Sequence, residues 1–176
     1  TSKYSLDFDA SKYSTREMTY QGQTVKFRAY ENIVYTAHPA DVSSESMSIY
    51  IPEAYFTKGG TVNGYTAKTA PIFMPNGVGG YMPGTICAPS ENDKMSGGAN
   101  ASLGALAHGY VVAAPAIRGR TTKNSDGVYV GKAPALIVDY KAAVRYLRHN
   151  RNKLPAGDTE KIITPPSTES MISRQF

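Results

Sequence analysis

The sequence contains no tryptophan and a single cysteine, Cys87, among its 176 residues. One thiol excludes an internal disulfide, and an unpaired thiol in a globular protein is most often a small apolar core residue. No run approaches the roughly 20 apolar residues that a membrane-spanning helix needs. The sequence therefore predicts neither a disulfide framework nor contact with a membrane.

The chain also lacks the residue spacings of common metal and nucleotide sites. It has no HxxxH, HExxH or CxxC pattern, and no GxGxxG or GxxxxGK[ST] pattern. Those spacings bring ligands to one side of a helix or cradle a phosphate on a glycine-rich turn. We therefore expect no metal site and no cofactor.

Charge of one sign is in moderate excess, with 19 Lys and Arg against 14 Asp and Glu. The basic residues are scattered except for a cluster between Arg145 and Lys153. We interpret this cluster as a solvated helix end, with a phosphate or nucleic-acid patch as the alternative, and expect no nucleic-acid partner. The 13 tyrosines suit aromatic or carbohydrate ligands.

The stretch from Thr69 to Gly84 organises the chain. Its short apolar run, residues 71–74, predicts a buried strand, and a glycine cluster, residues 77–80, follows at once. Glycine adopts positive φ freely and leaves backbone N–H groups open to a bound group. Such N–H groups stabilise an oxyanion or hold a phosphate, and a plain flexible loop is the simpler alternative.

Periodicity along the rest of the chain predicts strands alternating with helices. Residues 1–22 are expected to form an extended arm with a short strand, and residues 54–68 a surface excursion. The expected strands are 24–30 with a partner at 32–36, 46–52, 110–115 and one from Lys161, and the expected helices are 101–108 and one opening at Pro134. This order predicts an α/β fold, a mostly parallel sheet with antiparallel N-terminal strands and helices on both faces.

A set of short motifs resembles the α/β-hydrolase fold and, within it, the bacterial tannases and related esterases. The motifs lie between residues 24 and 164, and they are Asn32–Tyr35 with His38 and Pro39, Val62–Tyr65, Ala70–Asn76 with Val78–Tyr81, Gly109–Val112, Ile117–Thr122, Ala133–Ala135 with Val138 and Asp139, and Lys141–Ala143 with Arg145 and Tyr146. The I-R-G-R-T-T run and the asparagine-led glycine loop are specific as a pair.

The resemblance implies hydrolysis of galloyl or other aromatic esters by a Ser-His-Asp mechanism. It implies an oxyanion hole built from Gly77, Val78 and Gly79. In such a fold the nucleophile lies on a G-x-S-x-G elbow after the strand that begins near Lys161, whereas this sequence continues there with Pro165. The expected domain is therefore an N-terminal part, residues 1–164, truncated before the elbow and followed by an aberrant or disordered tail, residues 165–176.

On this interpretation the chain contains no catalytic triad and is inactive alone. The histidines, His38, His108 and His149, are expected to be structural or exposed. A small aromatic ester would be the substrate of the intact enzyme, and the substrate-binding residues stay unassigned. The strand at residues 161–164, at the point of truncation, is expected to self-associate or to pair with a C-terminal half.

Three alternatives stay open at the level of sequence. The chain is a non-catalytic binding or partner module made from the same half-fold, or it comes from a peptidase or an acyltransferase of the same fold. The absence of an initial methionine favours a secreted or cell-envelope location over a cytoplasmic one.

Overall fold

The computed structural model describes residues 3–75 and 81–164, which form one six-stranded sheet with two flanking helices. The strands are β1 (Ser14–Tyr20), β2 (Gln23–Val34), β3 (Ser46–Pro52), β4 (Pro71–Phe73), β5 (Val111–Pro115) and β6 (Asp158–Ile163). The helices are α1 (Ala101–Ala107) and α2 (Ala135–His149), and a 3-10 turn spans Glu53–Phe56. None of the helices described is long and apolar enough to cross a bilayer.

The sheet is mixed, with the strand order β1-β2-β3-β5-β4-β6. Within the described residues, the β1–β2, β2–β3 and β3–β5 pairs are antiparallel, and β4 pairs in parallel with both β5 and β6. The α/β class is confirmed, but the expectation of a mostly parallel sheet is corrected. Short connections such as the Gln21–Gly22 turn give antiparallel pairs, whereas each parallel pair needs a crossover that includes a helix.

Strand β2 corrects the expected break between residues 24–30 and 32–36. One strand runs from Gln23 through both segments as far as Val34, and its partner at the sheet edge is β1 rather than residues 32–36. The irregularity that the sequence signals is a bulge, because the register with β3 shifts between Tyr30 and Ile33. Asn32 absorbs the bulge in a left-handed conformation, with φ of 58°.

The two helices cover opposite faces of the sheet, as predicted. Alternate residues of β5 point to opposite sides, so Val111 packs in the core beneath α2 and Val112 in the core beneath α1. On α1, Leu103 and Leu106 are buried in the second core. Burial of each such leucine stabilises the fold by about 1.5–3 kcal/mol.

Helix α1 is expected at residues 101–108 and is observed at Ala101–Ala107, with a capping residue before it and a glycine after it. The Asn100 side chain caps it by accepting a hydrogen bond from the Leu103 N–H at 3.0 Å. Gly109 follows the C-terminal end with φ of 89°, which a residue with a side chain adopts only at a cost. Helix α2 likewise begins directly after Pro134 and carries Arg148 and His149 in its last turn.

Strand β6 begins three residues earlier than the sequence predicts. Its pairing with β4 already includes Asp158, whose N–H donates to the Ala70 carbonyl at 2.8 Å. The expected strand starts only at Lys161, because Asp158 and Glu160 are polar and give no apolar period. Both belong to β6, which lies at the edge of the described sheet.

Candidate functional site

The candidate site lies at the edge of the sheet where the parallel strands β4, β5 and β6 have their carboxyl ends. Ligand sites of α/β sheets are built at such edges. The sequence-predicted oxyanion residues, Gly77, Val78 and Gly79, follow β4 closely in the chain. They fall outside the described residues, so their role as N–H donors stays a prediction.

The segment of residues 81–84 pairs with the segment of residues 117–120 that follows β5. Gly84 and Ile117 exchange both backbone hydrogen bonds, at 3.0 and 2.9 Å, and the Arg120 N–H donates to the Tyr81 carbonyl at 2.7 Å. We call this pairing the seam. It fixes the chain directly after the glycine cluster to the carboxyl end of β5.

Two glycines allow the backbones around the seam to come close together. A Cβ atom on Gly119 would lie 2.1 Å from the Pro83 nitrogen, and one on Gly131 would lie 1.8 Å from the Gly119 carbonyl oxygen. Both distances exclude any side chain. The glycine of the I-R-G-R-T-T run is therefore required by backbone contact at the seam.

Arg118 forms the polar centre beneath the seam. Its Nε and one terminal nitrogen donate to the two carboxylate oxygens of Asp139, at 2.9 and 2.7 Å, and its own backbone N–H donates to the same carboxylate at 3.0 Å. The other terminal nitrogen donates to the Val130 carbonyl at 3.1 Å. Glu45 lies 3.5 Å from the guanidinium.

These charged groups are shielded from water. Asp139 is 1% exposed and Glu45 is 4% exposed. The Asp139 carboxylate raises the pKa of Arg118, so the guanidinium keeps its charge. Burial raises the pKa of Glu45, against the opposing effect of the backbone N–H of Asp41.

Tyr35 extends the network to the end of β5. Its hydroxyl donates to the Ala116 carbonyl at 2.7 Å, and burial is the main cause that raises the pKa of this phenol. A phenol that stays protonated stays a donor. The loop before β3, the end of β5 and helix α2 are therefore joined by side chains at one place.

Aromatic and apolar side chains are exposed beside the seam. Tyr81 is 49% exposed and has φ of 60°, and Met82 is 41% exposed. Tyr129 lies on the loop between the seam residues 117–120 and helix α2 and is 53% exposed. The Lys123 ammonium lies 4.6 Å from the centre of the Tyr129 ring. This edge therefore offers planar aromatic surface with a positive charge close to it.

The histidines do not assemble into a charge-relay arrangement in the part of the chain that the structure describes. His108 contacts the Gly104 carbonyl through Nδ1 at 2.7 Å, and His149 lies 3.7 Å from Asp7 at the far end of α2. No histidine in residues 3–75 and 81–164 bonds to a serine hydroxyl. The same residues hold no group of three or more potential metal ligands.

Three open hollows lie at the opposite edge of the sheet. Two of them lie between the start of β2 and the end of α1, and both are lined by Ala107, whereas the third lies beside the 3-10 turn and is lined in part by Lys58 and Lys68. All three lie near the amino ends of the parallel strands. They do not coincide with the predicted site.

Sequence reasoning missed the roles of Glu45, Arg118 and Asp139. Arg118 and Asp139 occur in the motifs of the resemblance, but no local pattern pairs them. A signal was present, because Asp139 lies three residues after Leu136 and four before Ala143, on the apolar stripe of α2. A carboxylate on a buried stripe requires a cationic partner.

Comparison with solved structures gives matches over nearly the whole chain. The tannase of Fusobacterium nucleatum is 48% identical, with a TM-score of 0.86 over 92% of this chain and 33% of its own. A tannase from Lactobacillus plantarum is 42% identical, with a TM-score of 0.80 over 91% of this chain and 34% of its own. A tannin acyl hydrolase solved in complex with ethyl gallate is 41% identical, with a TM-score of 0.79 over 90% and 34%.

The chain thus spans about a third of the length of the solved tannases that it matches. No protein-family model matches it, and a search of the curated proteins also gave no match. Identity above 40% together with the shared backbone identifies this chain as tannase-like, and the resemblance to the bacterial tannases is confirmed over a segment of that length.

Proposed function

We propose that this chain is part of a carboxylic ester hydrolase of tannase type, which cleaves galloyl or other aromatic esters by a Ser-His-Asp mechanism. The observation that carries the proposal is the 48% identity and TM-score of 0.86 with a tannase over 92% of the chain. The complex of a similar hydrolase with ethyl gallate supports the substrate class.

The strand order supports an α/β-hydrolase scaffold. Antiparallel strands lead into a parallel group, the helices cover opposite faces, and the glycine cluster leaves from the carboxyl end of β4 within that group. In such a scaffold the nucleophile follows a strand at the same edge. Strand β6 is the candidate for that strand, because it lies beside β4 and also ends at this edge.

The proposed chemistry assigns this chain a share of transition-state stabilisation. A serine oxygen attacks the ester carbonyl carbon while its proton passes to a histidine, and the carbonyl oxygen becomes an oxyanion. The N–H groups of Gly77, Val78 and Gly79 are the proposed donors to that oxyanion. Loss of one such donor lowers the rate by roughly 10²–10³-fold.

Proline substitution tests the donors one by one. The matched segment of the Fusobacterium nucleatum tannase would be exchanged for this chain, and methyl gallate hydrolysis measured. Val78→Pro removes an N–H whereas Val78→Ala keeps it, so only the proline variant of a true donor loses rate. The same pair of substitutions at Gly77 and Gly79 completes the set. A folded chimera without turnover, or proline variants that all retain full rate, would contradict the proposal.

The isolated 176-residue polypeptide is proposed to have no esterase activity of its own. The placement of His108 and His149 on a backbone carbonyl and beside Asp7 supports this. We expect no saturable hydrolysis of methyl gallate and no covalent labelling by a fluorophosphonate. Labelling at any serine would reject this part of the proposal and would identify the nucleophile.

A second proposal concerns association through β6. Within the described sheet β6 pairs on one side only, with β4, and Ile163 on it is 39% exposed. We propose that this edge pairs with another strand, from a second copy or from a C-terminal half. Light scattering of the purified chain should show association that Ile163→Lys weakens and that Val138→Lys, an exposed position on α2, leaves intact. A monomer at all concentrations would exclude self-association.

A further inference from the structure

The segment of residues 116–120 is held at every backbone N–H group. Five consecutive N–H groups each find an acceptor within 3.0 Å. Their acceptors, in chain order, are the Ser46 carbonyl, the Gly84 carbonyl, the Asp139 carboxylate, the Thr122 hydroxyl and the Tyr81 carbonyl. Because the five acceptors belong to three separate parts of the chain and to Thr122 of the same loop, they specify the position of this segment.

Only one of these five acceptors is an ionised side chain. Asp139 accepts from the Arg118 backbone and also from its guanidinium, so a single carboxylate fixes both the chain and the side chain. Ile117, directly before Arg118, and Arg120, two residues after it, are the residues that pair with 81–84. The backbone hydrogen bonds of the seam are therefore made by residues within two positions of Arg118, which forms the ion pair with Asp139.

The cost of burying these charges indicates a role beyond stability. Two carboxylates, Asp139 and Glu45, share one guanidinium in a site shielded from water. A buried ion pair often stabilises a fold no better than apolar residues of the same volume. A bidentate ion pair differs from apolar packing in its directionality, because the arginine fixes both the angle and the distance of its carboxylate partner.

We propose that Arg118 is a positioning residue that holds the seam, and through it the chain that leaves the glycine cluster, in one orientation. The catalytic consequence rests on the proposed function. The N–H donors of residues 77–79 precede the seam by only a few residues. A shift of 81–84 would therefore move those donors relative to the ester oxygen, and small misplacements reduce turnover strongly.

The test measures amide hydrogen exchange by NMR on the intact 176-residue chain, and it needs no turnover. In Asp139→Asn we expect the N–H groups of Gly84, Ile117 and Arg120 to exchange at least about tenfold faster. We expect amides of β3 and β1 to keep their wild-type rates. Arg118→Lys, which keeps the charge and loses the bidentate geometry, should give the same pattern in milder form and covers the case in which Asp139→Asn fails to fold.

A matched control comes from another bidentate pair. Arg28 donates to both carboxylate oxygens of Glu53, each at 2.9 Å, away from the seam. Glu53→Gln should leave the seam amides unchanged. Equal acceleration across all strands, an equal effect of Glu53→Gln at the seam, or unchanged seam amides in Arg118→Lys would each overturn the proposal.

The exchange result is independent of the proposed activity. In the tannase chimera, Arg118→Lys is expected to lower kcat with little change in KM, since the donors act in the transition state. A chimera that never hydrolyses methyl gallate counts against the proposed function alone. Wild-type exchange at the seam in both variants counts against the positioning role alone.

Discussion

At the residue scale, Asn150 joins the N-terminal arm to the rest of the fold. It is fully buried after α2, accepts from the Phe8 N–H at 2.8 Å and donates to the Leu6 carbonyl at 2.8 Å. Asn150→Ala removes both bonds, and we expect it to lower the free energy of unfolding by about 2–3 kcal/mol. Urea denaturation measures this, with the exposed neighbour Asn152→Ala as control. Equal losses in the two variants would show that the arm is held by other contacts.

Glu45 gives a prediction on pH. Because burial raises its pKa, the folded chain holds the proton more tightly than the unfolded chain does. The stability associated with that proton is present at low pH and is lost as the pH rises through the folded-state pKa. Glu45→Gln removes this loss, so we expect the variant to gain stability relative to wild type as the pH rises above the ordinary glutamate pKa of about 4.3.

Urea denaturation at several pH values measures this gain. Glu160→Gln, at an exposed position, controls for the change in net charge. Asp139 and Arg118 are the charged groups that face Glu45, and both are present in the variant and in wild type. A difference between variant and wild type that is constant with pH, or that falls as the pH rises, would contradict the prediction.

Residue-level roles could be predicted only where local pattern decides them. Gly109 follows the expected helix as its stop, a role that depends only on neighbours in the chain, whereas the cap at Asn100 was not predicted. Arg118 and Asp139 are 21 residues apart, and their pairing depends on how α2 lies across the sheet. The spacing of apolar and polar residues within one helix or strand does not predict such a contact.

At the element scale, Gly109 and Gly22 separate backbone strain from steric overlap. Both have positive φ, of 89° and 77°, but a Cβ on Gly109 would lie 2.7 Å from the Val62 carbonyl, whereas one on Gly22 meets nothing within 4 Å. Gly22→Ala should cost about 1 kcal/mol for the left-handed conformation alone. Gly109→Ala should cost at least about 2 kcal/mol more, because the α1–β5 connection must shift.

Thermal or urea unfolding of the two variants gives both values. The difference between the two costs isolates steric overlap, because each substitution adds one methyl group to a backbone with positive φ. Equal costs would show that the Val62 turn moves away freely from Gly109.

The elements themselves were predictable where their apolar period was strong. Strand β5 and helix α2 were expected at their observed positions, since buried runs and apolar stripes are long enough to be distinctive. Two boundaries were wrong, at the bulge of β2 and at the start of β6. In both cases polar residues take part in strand pairing, and pairing depends on a partner far along the chain.

At the scale of the whole molecule, sheet direction was the property that sequence predicted least well. Antiparallel N-terminal strands were expected in a mostly parallel sheet, but the antiparallel group of β1, β2 and β3 continues into β5, so only the two pairings of β4 in the described sheet are parallel. Direction follows from the order of strands in space, which no single segment specifies. The resemblance to tannases was recognisable because motifs from several edges and loops occur in one order.

The two-core arrangement leads to a prediction for the whole fold. Ile49 lies on the face of β3 beneath α2, whereas Leu103 lies on α1 and packs against the other face of the sheet, and both are fully buried. Ile49→Val should cost about 0.5–1.5 kcal/mol and Leu103→Ala about 2–5 kcal/mol. Since the sheet separates the two sites, the double variant should lose the sum of both values to within about 0.5 kcal/mol. Urea denaturation should also show one transition in all three variants, because β3 and β5 belong to both cores. A coupling energy well above that margin would mean that the two faces of the sheet respond as one packed unit. A second transition would mean that the two cores unfold separately.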